Sequence, residues 1–104
     1  MMASDISKII NSEIKSAGPD INSHGLDLNR CLVGPVKKTY EDSFHQGKTL
    51  ELWLVLEEDP DNKSGYKIVF DEGSNRFGLA IRGDGKFDTF IGFHGSFTET
   101  LKGM

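Results

Sequence analysis

Leucine occupies every second position of Leu50-Glu51-Leu52-Trp53-Leu54-Val55-Leu56-Glu57. Strict period-two alternation places these four leucines on one face of a sheet, whereas a helix would smear them around its axis. The opposite face carries Glu51, Trp53, Val55 and Glu57. Trp53 and Val55 are too apolar to stand in water without cover. The run therefore demands a β-sheet with packing on both faces.

The rest of the chain supplies partners for this strand. Tyr66-Lys67-Ile68-Val69-Phe70 has its large residues at even positions, and Phe77-Gly78-Leu79-Ala80-Ile81 has them at odd ones. Cys31 to Pro35 reads as a short buried start to a strand, with Pro35 at an edge or bulge. Val36, Tyr40 and Phe44 then share one face of an extended segment. The spacing predicts strands within residues 31–44, 50–57, 66–71, 76–82 and 87–93. The connections at His45–Lys48, Glu58–Gly65, Asp71–Asn75 and Gly83–Gly85 are rich in turn formers. All are shorter than the roughly dozen residues a parallel crossover needs, so neighbouring strands run antiparallel.

A helix flanks the sheet at each end. Ile6, Ile9, Ile10 and Ile14 fall on one face of a helix over about 5–17, with Ser4 and Asp5 as candidate N-caps and Gly18-Pro19 as its stop. The following segment, Asp20–Asn29, reads as a loop. Ser96-Phe97-Thr98-Glu99 has capping-box spacing and opens a short helix over about 97–102, with Phe97 and Leu101 on one face. The expected fold is a single α+β domain over 1–104: one antiparallel sheet of four to five strands, an N-terminal amphipathic helix and a short C-terminal helix.

Charge narrows the function classes. Twelve Lys and Arg stand against sixteen Asp and Glu, a formal charge of −4. An acidic domain repels phosphate backbones, so direct nucleic-acid binding is not expected. The acids are unevenly spread: Glu51 to Glu72 holds seven of them against Lys63 and Lys67. That window reads either as a solvated loop or as an electrostatic docking surface for a basic partner. A single cysteine excludes an internal disulfide framework. No apolar run approaches the ~20 residues of a membrane helix, and the N-terminus lacks a basic-then-apolar signal pattern. A cytoplasmic domain is expected.

Catalytic patterns are weak throughout. Asp59–Phe70 departs from a calcium loop at its fifth, sixth and twelfth positions, where Lys63, Ser64 and Phe70 stand. Cys31, His24, His45 and His94 lack paired zinc spacing, so neither metal nor cofactor is expected. Cys31 reads as a small buried hydrophobe rather than a nucleophile. Gly83-Asp84-Gly85-Lys86 is a hairpin turn rather than a phosphate loop. Glu57-Glu58 and Asp71-Glu72 point their members to opposite faces and form no acid–base dyad. No enzyme is expected. Seven Phe, two Tyr and one Trp are a large apolar load, compatible with a binding face that has an aromatic anchor and an acidic rim.

Three stretches carry a resemblance: the Leu50–Glu58 strand ending in Glu57-Glu58-Asp59, the Tyr66–Glu72 strand, and Gly92-Phe93-His94-Gly95-Ser96-Phe97. Over residues 31–104 the chain resembles, in type and texture, the small bacterial immunity proteins that neutralise polymorphic or contact-dependent toxins. The resemblance implies a tight complex with a basic toxin domain, often a nuclease. Glu57, Glu58, Asp59, Asp61, Asp71 and Glu72 would form its acidic surface, with Trp53 as apolar anchor. Two alternatives stay open. One is a regulatory or scaffolding domain that self-associates as a homodimer through a sheet edge or its aromatic face. The other is a small ligand-binding domain or enzyme, for which a pocket containing His45 or His94 would speak.

Overall fold

Helix α1 spans Ala3–Ala17 and buries Ile6 and Ile10, with Ile9 and Ile14 packed at the margin of the same cluster. Its start differs from the sequence expectation. Met2 is the N-cap, and Ser4 and Asp5 lie within the first turn. Asp5 still serves the helix end, because its carboxylate accepts the Met2 amide at 2.8 Å. Gly18, at φ +72°, closes the helix by donating to the Ile14 carbonyl. The computed structural model describes residues 1–18, 25, 27–62 and 64–104. Pro19, His24, Lys63 and most of the expected Asp20–Asn29 loop lie outside the described residues. The end of that loop holds α2, a single turn over Leu28–Cys31 whose N-cap, Asp27, accepts from the Asn29 amide.

Five strands follow: β1 (Leu32–Asp42), β2 (Thr49–Asp59), β3 (Ser64–Asp71), β4 (Arg76–Ile81) and β5 (Asp88–Gly95). Each pairs antiparallel with the next, as the short connections require. Helix α3 (Phe97–Lys102) closes the chain, with the expected Ser96–Glu99 capping box in place. These elements make the α+β domain read from the sequence.

The sheet also closes on itself, a feature the sequence reading did not contain. β1 pairs with β5 to complete a barrel in the order β1-β2-β3-β4-β5. In a meander of five alternating strands the first and last point the same way, so the closing pair must be parallel. It is short, running from Tyr40 opposite Asp88 to Asp42 opposite Phe90. Glycines permit the tight curvature on the β4–β5 side. A methyl group on Gly78 would overlap the Gly92 carbonyl oxygen and the Phe90 ring. Gly92 itself sits at φ +137°, where only glycine is comfortable.

Barrel closure divides the core in two. Leu52, Leu54, Val69, Ala80, Phe90 and Tyr40 fill the interior, with Leu50, Val33 and Phe93 at its margins. The outer cluster joins Ile6 and Ile10 of α1 and Phe97 and Leu101 of α3 to Ile68, Phe70, Phe77 and Leu79. Each fully buried aliphatic or aromatic side chain contributes about 1.5–3 kcal/mol. One expectation about this core is corrected. The four leucines of β2 do not share a face, because the register shifts between Leu54 and Leu56 and sends Leu56, with Val55, to the helix-side cluster. The register of β1 likewise shifts between Leu32 and Val36, around Pro35. Among the described residues no helix is long and apolar enough to cross a membrane.

Candidate functional site

The acidic window folds mostly onto itself. Glu57 is only 4% exposed and stands opposite Lys67, itself buried, in the β2–β3 ladder. It is therefore not a surface charge, and the physical reason is the bulge at Val55, which turns the strand after Leu54. Glu58 accepts the Tyr66 amide at 3.0 Å across the hairpin. Asp59 holds the turn by accepting from the Asn62 side chain at 3.0 Å, the Asn62 amide and the Ser64 hydroxyl. These bonds keep its carboxyl below the usual range, those from Asn62 contributing most. Asp61 pairs with Arg30. Asp71 accepts from the Gly73 amide and the Ser74 hydroxyl in the next turn.

Glu72 and Trp53 are occupied as well. Lys37 lies 2.6 Å from Glu72 and the terminal amine 3.5 Å from it. The Lys37 bond depresses the Glu72 carboxyl, and the Trp53 indole adds a weaker pull from outside hydrogen-bonding geometry. Trp53 is partly buried against the helix-side cluster, and the Lys37 ammonium sits 5.6 Å from its ring centroid. The sequence-predicted residues thus separate to the two ends of the β2–β3 hairpin, Glu57 to Asp61 towards its turn and Trp53, Asp71 and Glu72 at the far end, and local turns and ion pairs already use most of their charge. Asp61, whose side chain is 72% exposed despite Arg30, is the most accessible of them.

A second site assembles where β1 turns into β2. This hairpin is tightly closed: the Asp42 amide donates to the Lys48 carbonyl and the Lys48 amide to that of His45. Gly47, at φ +81°, takes the left-handed position expected of it. The Asp42 carboxylate accepts the Phe44 amide at 2.9 Å and meets His45 Nδ1 at 2.8 Å. Both interactions hold Asp42 below its ordinary pKa, the Phe44 amide first. The sequence placed Phe44 on a strand face with Val36 and Tyr40, yet β1 ends at Asp42 and Phe44 stands in the turn. It is 66% exposed, whereas Tyr40 is 1% exposed.

Beneath Phe44 the mouth of the barrel forms an open cleft of about 610 Å³, of a size used by binding sites. Leu50, Leu52, Phe90 and Phe93 supply its apolar floor. Phe90 and Phe93 pack with ring centroids 4.7 Å apart, and the Arg76 guanidinium lies 3.9 Å from the centroid of Phe93. Asp42, Glu51 and Asp71 stand around the rim, and His45 and His94 also line it. The sequence signal for this site was Phe44 itself. A large aromatic between Asp42 and Gly47, inside a turn, has no core to reach.

Cys31 is remote from the cleft. It is 2% exposed, its thiol faces the Glu58 carbonyl at 3.6 Å, and burial raises its pKa, which keeps it protonated and unreactive. Among the described residues no three His, Cys, Asp or Glu side chains gather in a way that could hold a metal ion. No protein-family model, curated protein or solved structure significantly matches the chain.

Proposed function

We propose that this chain is a non-catalytic protein-binding inhibitor, of the kind that immunity proteins represent, which acts in the cytoplasm by docking a basic partner such as a toxin nuclease domain. The observation that carries the reading is Phe44, two-thirds exposed above an apolar cleft edged by Asp42, Glu51 and Asp71. Interfaces concentrate energy in an aromatic anchor beside a desolvated apolar floor, with charges at the rim steering the encounter. The docking surface therefore centres on the barrel mouth rather than on the Glu57–Asp61 arm, and Phe44 rather than Trp53 is its anchor.

The test is co-purification from the native host with identification by mass spectrometry, comparing the natural chain with Phe44→Ser. A basic protein recovered in stoichiometric amount with the natural chain, and lost with the variant, supports the reading. A chain that elutes alone, or a captured protein indifferent to Phe44, contradicts it.

One observation favours a second reading, a small-ligand site. His45 and His94 both line the cleft, and His45 is oriented by Asp42. A small molecule retained through purification, detected by native mass spectrometry and displaced by substitutions at His45 and His94, would select this reading over protein docking.

A further inference from the structure

The parallel seam that closes the barrel is incomplete, and its open part lies in the cleft. The β1–β5 ladder ends at Asp42 opposite Phe90. The chain then turns away through Ser43, whose amide makes a last bond to the Phe90 carbonyl at 3.2 Å. β5 continues to Gly95 with β4 as its ladder partner on the other side. From Ile91 onward its β1-facing side has no strand beside it among the described residues. Ile91, Gly92, Phe93 and His94 all line the cleft, and the Phe44 ring stands over Gly92, 3.7 Å from where a side chain would begin.

We infer that the partner enters as an extended segment and adds as a strand to this free edge of β5, an inference that rests on the protein-docking reading above. A bare strand edge offers a row of amide donors and carbonyl acceptors that an extended chain can satisfy. Ile91–Gly95 would span roughly 17 Å at the usual rise, the length of an ordinary strand. The stretch of β1 left without β5 beside it, at the opposite end of the seam, is a poorer template. β1 from Leu32 to Thr39 carries Pro35, Lys37 and Lys38, all features that blunt an edge. Between Ile91 and Gly95 there is neither proline nor lysine.

Charge decides the occupant. Asp42 is held ionised by the Phe44 amide and His45, and Glu51 is exposed nearby. Arg76 is engaged with the Phe93 ring and with the Ser74 hydroxyl at 3.1 Å. A second copy of this acidic chain would bring two such rims together. A segment alternating apolar and basic residues instead places its apolar side chains on Phe44, Leu50 and Phe93 and its cations on the rim.

The probe is a blocked peptide of about eight residues alternating valine with arginine, followed by amide chemical shifts and hydrogen exchange of the natural chain. The expected result is perturbation confined to Ile91–Gly95 and the Phe44 hairpin, with slowed exchange of β5 amides. Methylating alternate backbone nitrogens of the peptide should weaken binding by about tenfold or more, since it removes strand pairing but keeps the side chains. Absence of binding overturns the inference, as does binding that is indifferent to N-methylation. In the latter case a loss of binding in Phe44→Ser keeps the docking reading alive while strand addition fails.

Discussion

Glu13 of the first helix caps the last one. Its carboxylate oxygens accept the Phe97 amide at 3.2 Å and the Thr98 amide at 3.1 Å, and one of them also receives the Thr98 hydroxyl. These donors belong to the first turn of α3 and have no intrahelical acceptor of their own. One side chain thus ties both ends of the chain together across the outer core. Glu13→Ala should lower stability by about 1–2 kcal/mol, with Glu13→Gln retaining part of it because the amide oxygen still accepts. Urea unfolding of the two variants measures the difference. Equal stability of all three chains would remove the cap from the account.

Tyr40 is packed in the barrel interior with a hydroxyl that meets no protein hydrogen-bonding partner among the described residues. Burial, reinforced by the nearby Asp88 and Glu57 carboxylates, raises its pKa far above the ordinary phenol value and keeps it neutral. Tyr40→Phe removes an unsatisfied polar atom while preserving shape. It should leave stability within about 1 kcal/mol of the natural chain or raise it, as thermal melts can show. A loss above about 2 kcal/mol would mean that the hydroxyl has a partner in solution.

Lys67 is 4% exposed and its ammonium lies 2.6 Å from Asp88. Lys67→Met should cost about 2–4 kcal/mol by leaving carboxylates without their buried cation, and Asp88→Asn in the same chain should recover part of the loss. Chemical denaturation of the single and double variants reads this coupling directly. Strictly additive effects would deny that the pair acts as a unit.

Acid sensitivity follows from Asp42, Asp59 and Glu72, all held below their ordinary pKa values by hydrogen bonds. A carboxyl whose folded pKa is depressed stabilises the fold above the ordinary value of about 4, and that contribution fades as pH falls through the lower folded value. The melting temperature should therefore drop between about pH 5 and about pH 2. The drop should be shallower in Asp59→Asn/Glu72→Gln. An unchanged acid limb in that double variant would assign the loss to other groups.

Much of the architecture was legible because hydrophobic period and turn chemistry are local signals. The Leu50–Glu57 alternation, the isoleucine stripe of α1 and the Ser96–Glu99 box all specify their elements without help from distant residues. Barrel closure was not legible, since the pairing of Tyr40 with Asp88 joins distant segments through a ladder only three residues long. The bulge at Val55 was hidden by the regularity of the leucines, and it is this bulge that buries Glu57 and moves Leu56. The acidic window misled for a related reason. A count of charges does not reveal that Asp59 and Asp71 fasten turns, or that Arg30 and Lys37 arrive from elsewhere to meet Asp61 and Glu72. Phe44 was visible but was assigned to a strand that ends two residues earlier.

On the proposed reading the partner meets the barrel mouth around Phe44, rather than the Glu57–Asp61 turn. The most direct test is the affinity of the co-purified partner, by calorimetry, for the natural chain, Phe44→Ser and Asp61→Lys. Phe44→Ser should lose roughly 30-fold or more in affinity, the scale of an interface anchor, and Asp61→Lys should change it by no more than about threefold. A large loss at Asp61 with Phe44→Ser left near natural affinity would contradict the reading and return the interface to the Glu57–Asp61 turn.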